Sequence, residues 1–322
     1  MKEFASILIL ISLIILAPSC TQHGANGYVA LDRFESQVTQ YPQLTHDEQE
    51  QFINHYSAIL TILNQSVKAD SIHTLPTIIP TTPIYKSFIA DITTHFTNTD
   101  TLSQTLYTIL TRYTQQSNTR IPQIQTYISP YNQSIIISDS TILIGLNHYL
   151  GATHPAYNNL SNEIRINKTP QRISYDIAEA LLRSNYPNNT SQTLLDNILY
   201  EGFIIHAIQQ LHPQFNLATA LGYTSEQLSW SNANSQQIWQ KLIADKLLYT
   251  TNHFEINKLI KPTPYTANIS TDSPGKLGVW VGTQIITSYI NAENINDINQ
   301  LYNKIKTTDS QTILMHSKYY GK

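Results

Sequence analysis

The 322-residue chain contains few charged residues. Asp, Glu, Lys and Arg make up 13% of the sequence and the formal net charge is -3, whereas about 25% charged residues is typical of soluble domains. A nucleic-acid-binding surface needs clustered lysine and arginine, and the absence of a basic stripe argues against a nucleic-acid partner. Solubility must therefore come from uncharged polar side chains, including those of the 20 tyrosines.

The chain has one cysteine, Cys20, which excludes internal disulfides and Cys-x-x-Cys sites. An apolar run from Ala5 to Leu16 precedes it, and this run is shorter than the roughly 20 residues of a membrane-spanning helix. Cys20 lies where a bacterial lipoprotein signal places the cysteine that receives lipid. We predict a lipoprotein signal peptide over 1–19, lipidation of Cys20 and a polar tether over 20–30.

These features predict a protein that is anchored to a membrane of the cell envelope by its N-terminal lipid. No acidic run follows Cys20. This absence favours a position facing the periplasm over export to the cell surface.

Several catalytic motifs are missing. The sequence has no Gly-x-Ser-x-Gly elbow, no Gly-x-Gly-x-x-Gly turn and no Walker loop, so serine hydrolysis and dinucleotide or nucleotide binding have no sequence support. Two zinc ligands on one helix face need a spacing of three or four residues. The nearest histidine pairs, His148/His154 and His206/His212, are six apart, so no zinc-binding helix is evident.

Hydrophobic periodicity predicts a mostly helical chain. Thr45 with Glu48 forms a capping box before a helix, Thr224 with Gln227 forms another, and Ser273 with Pro274 indicates a third helix start. After the first of these helices, the predicted helices cover 84–97, 100–116, 173–185, 190–211, 225–250, 274–291 and 294–306.

Short β-branched segments between 121 and 146 predict three strands that pair in one small sheet. The predicted fold class is therefore α+β, predominantly helical, with the small sheet followed by helices. We expect an N-terminal helical layer over 31–118 and an α+β core over 119–322.

The helix predicted over 173–185 carries the candidate site. Tyr175, Asp176 and Glu179 occupy the first, second and fifth places of the His-Glu-x-x-His motif of zinc peptidases, and Glu201 follows on the next helix. Glutamate zinc peptidases (gluzincins) use this order, with the later Glu as third ligand. Carboxylates without imidazole favour a hard cation such as Ca²⁺ over zinc.

Three interpretations of this segment remain open. In the first, Asp176 and Glu179 are solvated charges on the helix surface and Glu201 is a buried acid. In the second, the residues form a degenerate metal site, and in the third they bind a cation. For this segment we predict no catalytic residue, no bound metal and no cofactor. The predicted core is therefore a degenerate, gluzincin-like one.

A glycine-rich segment forms a second candidate region. Gly275, Gly278 and Gly282 recur at helical spacing, and because glycine is unfavourable inside a helix, the pattern predicts a close approach of another backbone. Trp280 and Gln284 share one helix face and belong either to this packed crossing or to a partner-binding groove. His148 and Tyr149 follow the last predicted strand and are candidate cleft residues.

Segments across nearly the whole mature chain resemble the gliding motility lipoprotein GldB family of Bacteroidetes. The strongest likeness is in "SPGKLGVWVGTQI", where the family usually has Arg at the position of Lys276. Others are "LDRFE", "SDSTILIGLNHYLG", "LLDNILYEGFIIHAI", "LGYTSEQLSW", "IWQKLIADKLLY" and "ILMHSKYY". Members of this family are distantly similar to zinc peptidases that have lost their metal ligands.

The resemblance implies a non-enzymatic lipoprotein that binds proteins of the gliding and type IX secretion apparatus. Two alternatives stay open. One is a zinc or other metal-dependent peptidase whose ligands come from scattered positions such as His148, Glu201 and His206. The other is a periplasmic scaffold lipoprotein that is unrelated to motility.

Overall fold

The computed structural model describes residues 27–117, 119–138, 140–188 and 192–321. The predicted signal peptide, Cys20 and most of the predicted tether lie outside the described residues. No helix of the described part combines the length and the apolar character that crossing a bilayer requires.

One four-stranded sheet lies in the N-terminal half of the chain. Its strands are β1 (Leu31–Arg33), β2 (Gln123–Tyr127), β3 (Ile135–Ile137) and β4 (Thr141–Gly145), in the order β1-β2-β4-β3. β1, β2 and β4 are parallel, and β3 is antiparallel to β4. The three predicted strands are confirmed. β1 was not predicted, because three residues are too short to show a strand period.

Helices make up most of the remaining chain, and the predicted fold class, predominantly helical α+β, is confirmed. Those before β2 are α1 (Phe34–Gln37), α2 (His46–His55), α3 (Ser57–Val67), α4 (Leu75–Ile78), α5 (Pro83–His95) and α6 (Asp100–Ser117). Those after β4 are α7 (Asn162–Arg165), α8 (Arg172–Asn185), α9 (Leu194–Leu211), α10 (Leu217–Leu221), α11 (Ser225–Ala233), α12 (Ser235–Ala244), α13 (His253–Ile260), α14 (Leu277–Glu293), α15 (Ile298–Thr307) and α16 (Ser310–Ser317).

Local capping explains where several helices begin. The capping boxes of Thr45 with Glu48 and of Thr224 with Gln227 are both present, as predicted. The predicted start at Ser273 is wrong, because the Ser273 hydroxyl bonds to the Thr266 and Ser270 backbone and α14 begins only at Leu277.

The prediction of one helix over 225–250 is also wrong. Asn234 ends α11 and begins α12 with non-helical dihedrals, and a left-handed Lys246 leads into a final 3-10 turn. Each of the two helices is therefore short.

The buried apolar residues form two clusters that meet at α8. The first surrounds the sheet and helices α1 to α6 and includes Ile173 and Ile177, whereas the second is built on α9 and α14 and includes Ala178 and Leu182. β1 pairs with β2 across the predicted boundary at 118/119. That boundary, like the gluzincin-like character of the core, stays a prediction.

Helices α9 and α14 pack more closely than side chains at their crossing would allow. A Cβ added to Gly282 would lie 1.7 Å from the carbonyl oxygen of Ile198, and one added to Gly202 would lie 2.3 Å from the Gly282 backbone. The close backbone approach predicted from the glycine spacing is confirmed. This crossing fixes Glu201, the neighbour of Gly202, relative to the segment that precedes α14.

Candidate functional site

A cavity of about 310 Å³ opens on the surface beside α8 and α9. We call it the cleft. Its walls are formed by α8, by Tyr149, Glu201 and Gln227, and by residues of four further segments, which are 163–168, 221–223, 260–263 and 275–276. Its volume is at the lower end of the range for ligand pockets in proteins.

The spacing of residues on α8 places its charged side chains at the cleft. Arg172, Asp176, Glu179 and Arg183 are separated by four, three and four residues, which puts them on one face of a helix with 3.6 residues per turn. The other faces are apolar and enter the two core clusters. Burial on two sides therefore fixes the rotation of α8 and turns this charged face toward the cleft.

Arg172 connects two carboxylates of the cleft, those of Asp176 and Glu179. Its Nε donates to Asp176 Oδ1 at 2.6 Å and its Nη2 to Glu179 Oε2 at 3.4 Å, while Nη1 donates to the carbonyl oxygens of Thr219 and Ala220. The second oxygen of Asp176 accepts a hydrogen bond from the Tyr149 hydroxyl at 2.8 Å.

Arg183 connects Glu179 to the third carboxylate. Its Nε donates to Glu179 Oε1 at 3.0 Å, and its Nη1 and Nη2 donate to the two oxygens of Glu201 at 3.1 and 2.6 Å. This two-pronged geometry is the strongest form of arginine–carboxylate pairing. All six carboxylate oxygens of Asp176, Glu179 and Glu201 thus accept hydrogen bonds.

The pKa values of these groups depend on two opposing effects, burial and pairing with an opposite charge. Burial raises the pKa of Asp176, and the attraction of Arg172 offsets only part of this rise. Burial also acts to raise the pKa of Glu179, but Arg183, Arg172 and Lys276 outweigh it and lower this pKa. The nearby carboxylates Glu179 and Glu201 raise the pKa of Arg183 despite the opposing effect of burial. The row of charges is therefore held together mainly by its arginines.

Three lysines line the cleft. Lys261 is exposed, whereas Lys168 and Lys276 are half-buried and lack such pairing. Lys276 Nζ donates to the carbonyl oxygen of Leu221 at 3.1 Å, and Lys168 Nζ lies 3.4 Å from His148 Nδ1. Burial lowers the pKa of both lysines. Within the described ranges, no carboxylate lies within 4.0 Å of either ammonium nitrogen.

The position of Lys276 follows from its neighbour, Gly275. A Cβ on Gly275 would lie 2.1 Å from the carbonyl oxygen of Thr263, so only glycine allows the segment after α13 to lie against it. The Gly275 carbonyl accepts a hydrogen bond from the Tyr223 hydroxyl at 2.7 Å. Lys276 itself has a left-handed φ of 57° and is the N-cap residue of α14.

The structure brings together some of the predicted site residues and separates others. Asp176, Glu179, Glu201 and Tyr149 line the cleft, and His148 contacts the cleft residue Lys168. Tyr175 points elsewhere, because its ring stacks on His212 at 4.2 Å and its hydroxyl bonds to the backbone of Gln214 and Asn216.

Trp280 and Gln284 do not reach the cleft. Trp280 is 1% exposed and lies in the core cluster around α9 and α14, so it presents no surface to a partner in this structure. Gln284 lies one turn further along α14 and is half-buried. The observed position of Trp280 agrees with the packed crossing and not with a groove lined by this residue.

The donor set of the cleft does not fit a metal ion. A cation would have to displace an arginine or tyrosine donor from every oxygen of Asp176, Glu179 or Glu201 that it used, and no imidazole is among the described residues that line the cleft. His206 of the peptidase alternative bonds to Gln210 on its own helix. Across the described part of the chain, no group of three or more His, Cys, Asp or Glu is arranged to hold a metal.

Sequence reasoning missed the two arginines and Lys168. The signal for the arginines was present, since Arg172/Asp176 and Glu179/Arg183 are both spaced i, i+4, the spacing of helix ion pairs. The bond from Arg183 to Glu201 and the approach of Lys168 depend on how distant segments pack. No local pattern reveals those contacts.

Comparison with known proteins adds one finding. No curated protein and no solved structure matches the chain significantly. The sequence model of the family described as "Gliding motility protein GldB" matches residues 21–321, which is nearly all of the chain outside the predicted signal peptide. The chain therefore belongs to the gliding motility protein GldB family.

Proposed function

We propose that this protein is a lipid-anchored envelope protein that acts in gliding motility by binding another protein, without catalysis. Family membership supports a role in gliding motility and supports the assignment of the chain as a lipoprotein. The single observation that carries the binding proposal is the row of paired charges, in which arginines engage the carboxylates of Asp176, Glu179 and Glu201.

Paired charges of this kind suit recognition better than acid–base chemistry. A general acid or base must exchange a proton with substrate, and a metal-activated water needs free ligand atoms on the protein. Here the carboxylate oxygens already accept strong hydrogen bonds from Arg172, Arg183 and Tyr149. The arrangement fixes side chains in a cleft, as a pre-formed binding site requires.

The resemblance to the family extends the proposal to the type IX secretion apparatus, with the protein facing the periplasm. In this view the cleft receives part of a subunit of that apparatus. The scaffold alternative shares the anchor and the mode of action but takes a partner from outside motility.

The test is affinity capture of the lipidated protein from detergent-solubilised envelopes, with partners identified by mass spectrometry. We expect subunits of the gliding or secretion apparatus to copurify with the wild-type protein and to be depleted with a cleft variant, Glu201→Arg. Lys241→Glu serves as a matched surface control, since Lys241 is 46% exposed and lies outside the cleft. Equal recovery with all three proteins, or partners only from other systems, would contradict the proposal.

A further inference from the structure

The charged side chains of the cleft differ in how far their hydrogen-bonding atoms have partners. The carboxylates of Asp176, Glu179 and Glu201 and the two guanidinium groups use their hydrogen-bonding atoms on one another and on backbone carbonyls. The two half-buried lysines of the cleft, Lys168 and Lys276, do not. An ammonium group has three donors, and among the described residues Lys276 uses one on a carbonyl while Lys168 has a single contact with a neutral imidazole nitrogen.

This imbalance has an energetic consequence. Partial burial of a lysine without a counter-ion in contact destabilises its charged form, and burial lowers the pKa of both lysines accordingly. Nearby charge from Glu179 and Glu201 acts on Lys276 without direct contact. An anion that entered the cleft would supply the missing acceptors and would be held by charge-assisted hydrogen bonds.

The walls indicate what kind of anion fits. The carboxylates of Glu163, Asp176, Glu179 and Glu201 lie in the same cleft, so a dianionic phosphate would be repelled more strongly than a carboxylate of single charge. The remaining lining is partly apolar, with Ile164 at 39% exposure, Ile260 and Pro262. A carboxylate that is attached to an apolar or peptide segment can use both features.

We propose that the cleft binds the C-terminal carboxylate of a protein partner through Lys276 and Lys168. This inference rests on the proposed protein-binding function and names the chemistry of the partner. The arginine–carboxylate row forms the rigid floor of the site, and the two lysines supply the donors that contact the ligand.

The experiment uses the full chain and two dipeptide probes in titrations followed by NMR. Acetyl-Ala-Leu with a free carboxylate tests the proposal, and the same dipeptide with a C-terminal amide removes the charge. We expect saturable binding of the acid at millimolar concentration and binding of the amide that is weaker by about tenfold or more, the loss of a charge-assisted hydrogen bond.

Two variants test the lysines separately. Lys276→Gln and Lys168→Gln should each weaken binding of the acid by about tenfold or more, and Lys276→Arg should retain most of it. Lys246→Gln is the matched control, because Lys246 also has a left-handed φ, of 53°, and is exposed outside the cleft. Unchanged circular dichroism spectra establish that each variant is folded.

Equal affinity for acid and amide, no binding of the acid, or unchanged binding of the acid by both lysine variants would each overturn the inference. Inorganic phosphate is the third probe, and its binding in preference to the acid would overturn the assignment to a protein carboxylate. Failure here with successful capture of motility subunits would leave the proposed function standing. Dipeptide binding without such capture would support the carboxylate site and contradict the proposed role in motility.

Discussion

Arg172 is the residue on which the cleft depends most strongly. Its side chain is 9% exposed and donates to two carboxylates and two backbone carbonyls. A buried charge that loses its partner is costly, whereas a charge pair at the surface contributes little. The stability of the cleft should therefore respond to this side chain far more than to exposed charges.

Replacement of Arg172 by Met keeps much of the side-chain volume and removes the charge. We expect the free energy of unfolding to fall by about 3 to 5 kcal/mol, because Asp176 and Glu179 lose a buried cation. Urea denaturation followed by circular dichroism measures this change. Lys241→Met breaks an exposed pair with Asp245 and should change stability by about 0.5 kcal/mol or less; similar losses in both variants would contradict the account.

His212 should make stability depend on pH. Burial, with a smaller contribution from Arg112, lowers the pKa of His212 to about 4 from an ordinary value of 6.5. Between these two values the unfolded chain binds a proton that the folded chain does not, so the free energy of unfolding falls as the pH falls through this window. The shift corresponds to about 3 kcal/mol for this 6% exposed residue.

The measurement is the urea midpoint between pH 7 and pH 4. His212→Gln should reduce the slope of stability against pH without abolishing it, because burial also lowers the pKa of His148 to about 4. His316→Gln, at a 53% exposed site, is the control and should keep the wild-type slope. An unchanged slope in His212→Gln would show that the folded protein protonates this residue normally.

At the scale of elements, the rotation of α8 and the crossing of α9 with α14 together place the charges of the cleft. The amphipathic pattern of α8 was readable from the sequence, and so was the close approach at Gly282, because both follow from spacing along one helix. The partner of Gly282 could not be read, since Gly202 and Ile198 belong to another helix. The prediction of a continuous helix over 225–250 was wrong because the interruption at Asn234 leaves the apolar spacing on either side intact. The spacing along the chain therefore did not reveal it.

Gly282→Ala tests the crossing. The added Cβ would meet the Ile198 backbone at 1.7 Å, and backbone atoms cannot move aside as a flexible side chain can. We expect a loss of about 3 kcal/mol or more in the free energy of unfolding, despite the gain of about 1 kcal/mol in helix propensity.

Asn291→Ala is the matched control on the same helix, because Asn291 is exposed. It should be neutral or slightly stabilising in the same urea titration. Stabilisation by Gly282→Ala as well would mean that α9 and α14 are further apart than described here.

At the scale of the whole molecule, the fold presents one charged cleft on a mostly uncharged, helical protein whose family is that of a gliding motility lipoprotein. The sequence identified three of the cleft carboxylates and Tyr149, because these lie on or beside recognisable motifs. It could not show that the arginines neutralise them, because Glu201 and Arg183 are 18 residues apart and meet only when α8 packs on α9. Anchoring of the protein stays a prediction.

Cys20→Ser tests that anchoring. A lipid attached at Cys20 would hold the mature protein on a membrane, and serine cannot accept it. We expect the wild-type protein in the membrane fraction after ultracentrifugation and the variant in the soluble fraction. Ser19→Ala leaves the cysteine in place and should still fractionate with membranes. A variant that stays in the membrane fraction would show that another feature anchors the protein.

The most direct test of a cleft that binds without metal catalysis is titration of Zn²⁺ into the purified full chain, with Glu201→Gln titrated in parallel. Since arginines already occupy the carboxylates, we expect both proteins to take up the same, substoichiometric amount of zinc and to cleave no peptide. One tightly bound equivalent of zinc that is lost in Glu201→Gln, together with peptide cleavage that a chelator abolishes, would contradict the account and establish a metallopeptidase.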